Sequence, residues 1–385
     1  MNLTSAARKY GNYKVGHKEF LLLQEALDYA KNDFHKVRYS MFGVDNLDLS
    51  QDPFPGLTIS DLYRIRAQEI RDSYDYLVLN LSGGPDSMNI LNTFVDNNIM
   101  LDEIVNYNSL NSTGVIHGTG NNTDYVYNVK PCLQELEKRP GWRTKFTVID
   151  EVDLVTRLIS TAYRLGHEEL LHGAGGPNGN TSVRGQGIQY VDHVWKMIKD
   201  GKKVGVIIGT DKPWSKVINN QRCLIFTDVN RSQFVEFIID NQVPPYMEWF
   251  YQSDFRIACK QAYMLQKFVT TNTSSALYEP IDCLAKSGFR NAHNWPGADG
   301  MTNLKYAPFH HVIYPGYTPA VITPKDQNTL LRPRDNWWLH NAEDKLKRFY
   351  ARSIVKWNEQ TATNDYSKHR ILKATKVKID TVWIN

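Results

Sequence analysis

A chain of 385 residues, 42% hydrophobic and 22% charged, can bury a large core, and its composition excludes a disordered or fibrous protein. A formal net charge of +4 is too small a bias to specify a nucleic-acid partner, and no apolar run reaches membrane-spanning length. Four cysteines, Cys132, Cys223, Cys259 and Cys283, are scattered without a CxxC pair. That argues against a disulfide framework or a structural zinc and for a reducing, cytoplasmic setting. The opening Met1-Asn2-Leu3-Thr4 lacks a signal-peptide core.

Residues 1–75 read as a helical N-terminal segment. Helical spacing runs from Glu19 to Asn32 and from Ile59 to Ser73, with a loop around Gln51 to Gly56 between them. The stretch from Gly11 to Lys18 echoes a Walker loop faintly, but His17 stands at the lysine position and no strand precedes it. It reads as a loop before a helix.

From Tyr76 the pattern alternates strand and helix, which predicts an α/β fold with a doubly wound, mostly parallel sheet over residues 76–245. Tyr76 to Leu81 is an apolar run suited to a strand buried on both faces. It empties into Ser82-Gly83-Gly84-Pro85-Asp86-Ser87, a turn of small residues, followed by a helix with Met88, Leu91 and Val95 on one face. Asp86 or Ser87 is suited to cap that helix. Strand, glycine turn and helix N-terminus together make an anion site, because unpaired N–H groups and the positive end of the helix dipole converge there.

Further strands are predicted at Leu101–Tyr107, Lys145–Ile149 and Lys203–Ile208, and helices at Tyr125–Lys138, Asp153–Leu165 and Ile188–Lys199. A glycine-rich loop, His172–Asn180, has no strand before it and reads as a substrate-contacting loop. Gly209-Thr210-Asp211-Lys212-Pro213 leaves a strand at its C-terminal end, where open α/β sheets bind ligands. Beyond Cys223, Leu224–Asp228 and Phe234–Phe237 look like a hairpin extending the sheet, and Pro244-Pro245 marks a boundary. Residues 246–385 then read as a mostly helical C-terminal region, with helices at Ser253–Phe268 and Trp337–Glu359. His293, His310 and His311 show no metal-ligand spacing. The basic tail from Ser367 to Lys378 reads as a solvated face or subunit contact, with nucleic acid the minority reading.

The turn Ser82–Ser87 resembles the SGGxDS loop of the N-type ATP pyrophosphatases, the PP-loop superfamily that includes asparagine synthetase, GMP synthetase and 7-cyano-7-deazaguanine synthase. All fixed positions of the motif match. The resemblance implies a HUP-type nucleotide-binding core with ATP and Mg²⁺ as cofactors. Ser82, Gly83, Gly84, Pro85, Asp86 and Ser87 would grip the departing pyrophosphate, with Asp86, Lys212 and Ser87 counted as catalytic and Asp86 holding the metal. Asp211 would be a second metal contact, Lys212 would neutralise phosphate charge, and Gly209 and Thr210 would line the site. Adenine would be bound through the backbone of Asn106, Tyr107 and Asn108. Arg184 would clamp a phosphate or an acidic substrate.

Such enzymes adenylate a carbonyl, carboxylate or amide oxygen and let a nucleophile displace AMP. Sulfur transfer within the family uses persulfide cysteines, commonly paired. Here Cys132 and Cys223 are the ones expected in core segments, and Cys132 reads as a packing residue. The expectation is therefore a nitrogen nucleophile, an amidoligase-like synthetase acting on a small-molecule or nucleobase substrate. Residue 2 is Asn2 and not the cysteine of an attached glutaminase, so ammonia would come from solution or from a separate glutaminase partner. Two alternatives stay open: a nucleobase-, tRNA- or DNA-modifying member of the same family, sulfur transfer included, and a binding module that keeps the loop without turnover. A homo-oligomer is equally compatible with the sequence.

Overall fold

A computed structural model describes residues 12–20, 23–31, 33, 36–40, 48, 50–108, 125–150, 159–160, 163–164, 166, 192–209, 214–218, 221–227, 246–251, 254–271, 310–316, 343–349 and 374–378. Its first elements are β1 (Asn12–Val15), β2 (Lys18–Phe20), α1 (Leu23–Tyr29), β3 (Val37–Ser40) and α2 (Ile59–Ser73). Then come β4 (Tyr76–Asn80), α3 (Pro85–Asp96), β5 (Glu103–Asn108) and a π-helical turn, Tyr125–Val129, that runs into α4 (Lys130–Glu137). β6 (Lys145–Asp150), α5 (Asp192–Lys199), β7 (Val204–Ile208), β8 (Trp214–Ile218) and β9 (Gln221–Thr227) follow. β10 (Tyr246–Trp249), α6 (Phe255–Thr271), α7 (His310–Ile313) and β11 (Ala374–Lys378) complete the described elements.

Five strands form one sheet in the order β10-β7-β4-β5-β6, and every pairing in it is parallel. Successive strand residues face opposite sides, and the central strands carry apolar residues on both. Leu77, Leu79, Ile104 and Ile207 join Leu62 and Ile70 of α2, Ile90, Leu91 and Phe94 of α3, and Leu133 and Leu136 of α4 in one core. Val78, Val105, Val204 and Val206 pack with Val194 of α5 in another. Helices thus cover both faces, the requirement for an all-parallel sheet. The chain moves outward from β4 through β5 to β6, then returns to lay β7 and β10 on the other side of β4. The order reverses between β4 and β7, and the C-terminal ends of those two strands flank that point.

Helix α2 begins with a capping box: Thr58 Oγ1 accepts from the Asp61 amide, and the Asp61 carboxylate accepts from the Thr58 amide. It is fastened to the sheet by Arg71, which donates to Asp102 at 2.6 Å, while the same Asp102 oxygen accepts from the Leu77 amide at 2.7 Å. Arg66 and the Tyr74 hydroxyl both donate to Glu248 of β10, so the edge strand is pinned to the same helix.

Several expectations change. The N-terminal segment is not only helical: β1, β2 and β3 form an antiparallel sheet, and the stretch read as a loop before a helix is a β1–β2 hairpin. Its buried residues Tyr13, Val15, Val37 and Tyr39 are the alternating apolar positions of strands. The sheet does not end at Pro244-Pro245, because β10 is its edge strand and α6 packs into its core. Strand β9 does not extend the main sheet. It pairs with β8 and with β11, a strand in the tail read as a solvated face, to make a separate antiparallel sheet. The strand expected at Phe234–Phe237 and the loop at His172–Asn180 lie outside the described residues.

The α5 face holds one carboxylate that must be compensated. Glu103 is 0% exposed and receives the Tyr76 hydroxyl at 3.0 Å, His193 Nε2 at 2.6 Å and the Thr147 hydroxyl, with Lys145 Nζ at 3.4 Å. Burial alone would raise the carboxyl, but the hydrogen bonds from Thr147, His193 and Tyr76 outweigh it and hold it below its ordinary value of 4.5. A depressed pKa contributes stability above the unfolded value that is lost as pH falls through the folded one. Glu103→Gln should therefore lower the unfolding free energy at neutral pH by about 1–3 kcal/mol. It should also flatten the decline of melting temperature under acid; parallel acid profiles for the two chains would remove Glu103 as its source.

Candidate functional site

The strand-to-helix turn after β4 is built before any ligand arrives. The ladder continues one residue past β4, with the Leu81 amide donating to Val105 O at 2.9 Å and Asn106 Nδ2 donating to Leu81 O at 2.7 Å. The chain then breaks upward. Gly83 has φ +82°, a left-handed conformation that a side chain would strain. Asn128 Nδ2, from the π-helical turn, donates to Gly83 O at 3.2 Å. Gly84 is the N-cap of α3, with no side-chain cap bond, and Pro85 occupies the first turn, where a missing N–H breaks no helical bond. The expectation that Asp86 or Ser87 caps the helix is thus corrected, because both lie inside its first turn.

The serines bind the turn to itself. Ser87 is buried and donates to Gly84 O at 3.1 Å, and the Ser82 and Ser87 hydroxyls are 3.2 Å apart. Ser82 is exposed, and its Oγ accepts from the Gly84 amide at 3.4 Å. A twelve-residue helix therefore begins at an open glycine turn, with first-turn amides that have no intrahelical acceptor. Beside it, at the end of β4, Asn80 Oδ1 is buried and has no hydrogen-bond partner among the described residues.

Strand β7 brings Gly209, the residue that follows it, to the same place. A Cβ on Gly209 would stand 2.9 Å from Ile90 Cδ1, 3.1 Å from the Asp86 carbonyl carbon and 3.1 Å from the Ser87 nitrogen. Gly209 is therefore seated against the start of α3, where an added side chain would be tight against the backbone of Asp86 and Ser87. Thr210, Asp211, Lys212 and Arg184 lie outside the described residues. Of the expected adenine site, Asn106 spends its buried side chain on Leu81 O, Tyr107 packs on the α5 face, and Asn108 is the last residue of β5, paired with Asp150.

Asp86 is held by residues that no motif points to. Tyr314 OH donates to Asp86 Oδ1 at 2.5 Å, and Tyr251 OH donates to Asp86 O at 2.7 Å while accepting from Asn89 Nδ2 at 3.0 Å. Tyr251 and Tyr314 are both buried, and their rings pack 5.6 Å apart beside Tyr63. Burial, with Tyr63 adding, holds Tyr251 far above its ordinary pKa, so it remains a donor. Tyr63 OH in turn donates to Ile313 O at 2.8 Å and accepts from Gln261 Nε2 at 2.9 Å. These hydrogen bonds span 162 to 250 residues of sequence, so periodicity carries no trace of them.

Cys223, expected in a core segment, lies in β9 opposite Lys216 and Lys378, and two further cysteines have described surroundings. Cys132 is half-buried, and burial raises its thiol with Arg139 offsetting only part of the effect. Cys259, not expected in the core, is fully buried in α6, and burial pushes its thiol up to about 12. Neither is poised as a thiolate. Among the described residues no three His, Cys, Asp or Glu side chains converge as a metal cage, and no helix is long and apolar enough to cross a membrane.

Scanned against protein-family models, curated proteins and solved structures, the chain matches none of them.

The closeness of Gly209 to α3 yields a direct expectation. Gly209→Ala should overpack the junction and lower stability by about 1–3 kcal/mol in a urea titration. An unchanged midpoint would show that the two loops do not touch in solution.

Proposed function

We propose that the chain is an ATP-dependent synthetase of the PP-loop kind, with the doubly wound HUP-type core that this implies, releasing AMP and pyrophosphate. The observation that carries the reading is the Ser82–Ser87 turn, lying between β4 and α3 at the point where strand order reverses. Open α/β sheets bind ligands there. Gly209 brings the end of β7 against the same turn.

The residues present suit the nucleotide. The left-handed Gly83 and the side-chain-free Gly84 allow phosphate oxygens to approach the backbone, and the first-turn amides of α3 supply donors. Ser82 adds an exposed hydroxyl, and Asn80 Oδ1 offers an unpaired acceptor at the strand end. Asp86 is a hard-oxygen ligand in the first turn of α3. A metal here would be shared between that carboxylate, nucleotide phosphates and water, which suits Mg²⁺, an ion that keeps several waters and takes few protein ligands. When bound, it would neutralise charge on the leaving pyrophosphate; Asp211 and Lys212 are the expected further contacts.

In the reaction, a substrate carbonyl, carboxylate or amide oxygen attacks the α-phosphorus, and the bond to the bridging oxygen breaks so that pyrophosphate leaves. Ammonia or an amine then attacks the activated carbon, and AMP departs with that oxygen. Catalysis by this chain is positioning and charge stabilisation. The raised thiols of Cys132 and Cys259 favour nitrogen over sulfur as the nucleophile.

Calorimetry with a non-hydrolysable ATP analogue and Mg²⁺ should give binding that Gly84→Val abolishes with the fold intact. Labelled ATP should yield AMP and pyrophosphate; ADP as the main product would remove the chain from this class. Asp86→Asn should slow turnover far more than it weakens nucleotide binding.

The nucleophile is tested separately. A chain with all four cysteines replaced by serine or alanine should still form product with ammonium or a free amine. Loss of the second step in one single-cysteine variant, with the first step intact, would reinstate sulfur transfer.

A further inference from the structure

We propose that Tyr314 is a positioning residue for the Asp86 carboxylate, and that the segment 310–316 thereby sets how tightly the site holds its metal ion. This rests on the nucleotide reading of the Ser82–Ser87 turn and adds to it a residue 228 positions away in sequence. An aspartate in the first turn of a helix has more than one rotamer, and a carboxylate that ligates a metal works best when a neighbour fixes which oxygen faces the ion. Tyr314 does this from one side, donating to Oδ1. Tyr251 does it for the backbone, donating to Asp86 O.

Tyr314 is itself over-determined. It is 2% exposed, and its ring packs against Tyr251 at 5.6 Å and Tyr63 at 6.5 Å. The residue before it, Ile313, is 0% exposed and accepts the Tyr63 hydroxyl on its carbonyl oxygen. Just ahead, His311 packs edge-on to Phe268 of α6, with ring centroids 5.2 Å apart. A residue needed only for packing would be as well served by phenylalanine, since the ring already has its aromatic neighbours. The hydroxyl reaches the Asp86 carboxylate and also lies in hydrogen-bond contact with Tyr251, the tyrosine that holds the Asp86 carbonyl. Removing it leaves the ring contacts in place and takes from the Asp86 carboxylate the bond that fixes Oδ1.

The test separates metal from nucleotide. Mn²⁺ binding to the full chain saturated with α,β-methylene-ATP is measured by electron paramagnetic resonance, for wild type, Tyr314→Phe, Asp86→Asn and the double variant. Tyr314→Phe should weaken Mn²⁺ binding about tenfold, with nucleotide affinity in EDTA unchanged within about twofold and little change in melting temperature. The double variant should bind Mn²⁺ no more weakly than Asp86→Asn alone, because Tyr314 acts through Asp86. Unchanged Mn²⁺ affinity in Tyr314→Phe, or additive losses in the double variant, overturns the proposal and leaves the nucleotide reading standing. Failure of the wild-type chain to bind the analogue overturns both. Should Tyr314→Phe not fold, 3-fluorotyrosine at position 314 keeps ring and hydroxyl. Its ¹⁹F resonance should move when Mg²⁺ is added to the analogue complex, and a resonance that stays fixed overturns the proposal.

Discussion

Strand β7 can lie beside β4 because Gly205 leaves room for the Tyr74 ring and Gly209 leaves room for the first turn of α3. A Cβ on Gly205 would stand 2.7 Å from Tyr74 Cδ2 and 2.9 Å from Leu77 Cδ2, closer than packed carbons come. With that pairing in place, the β4 turn and the end of β7 become neighbours, and the strand order reverses between them. Without it, neither the end of β7 nor the edge strand β10 would join this sheet. The candidate site is a consequence of two absent side chains as much as of the residues that line it.

The surrounding polar groups fasten elements and also satisfy one another. Glu248 in β10, Glu103 in β5 and Lys260 in α6 are all nearly or fully buried, and each has a charged or hydrogen-bonding partner from a different element. A buried ion pair adds little net stability but is costly to break. These contacts therefore act less as a source of stability than as a constraint on which strand lies beside which helix. The paired Arg66 and Glu248 tie the edge strand β10 to α2.

The turn after β4 is rigid by the same logic. Its two serines, Asn106 and Asn128 satisfy the backbone and hydroxyl groups that a glycine turn leaves bare. The tyrosines of the later chain do so for Asp86. Ligand-facing groups held by such a shell need little reorganisation when charge develops next to them.

By itself the sequence determined the central βαβ units and the helix Ile59–Ser73. Their signals are local: continuous apolar runs, helical spacing and a glycine turn, each readable within about a dozen residues. It also singled out Ser82–Ser87, whose residue types follow from the backbone shape they make. Only the tertiary structure decided that β1 to β3 are strands, that Tyr246–Trp249 closes the edge of the main sheet, and that Ala374–Lys378 pairs with β9. In strands of three to five residues an alternation is too brief to be read, and outside the β1–β2 hairpin the partners lie tens to more than a hundred residues away. The same reason hid Tyr251 and Tyr314: a hydroxyl reaching Asp86 across 165 or 228 residues leaves no pattern in the chain, because the contact exists only once β10, α6 and α7 have packed against α3.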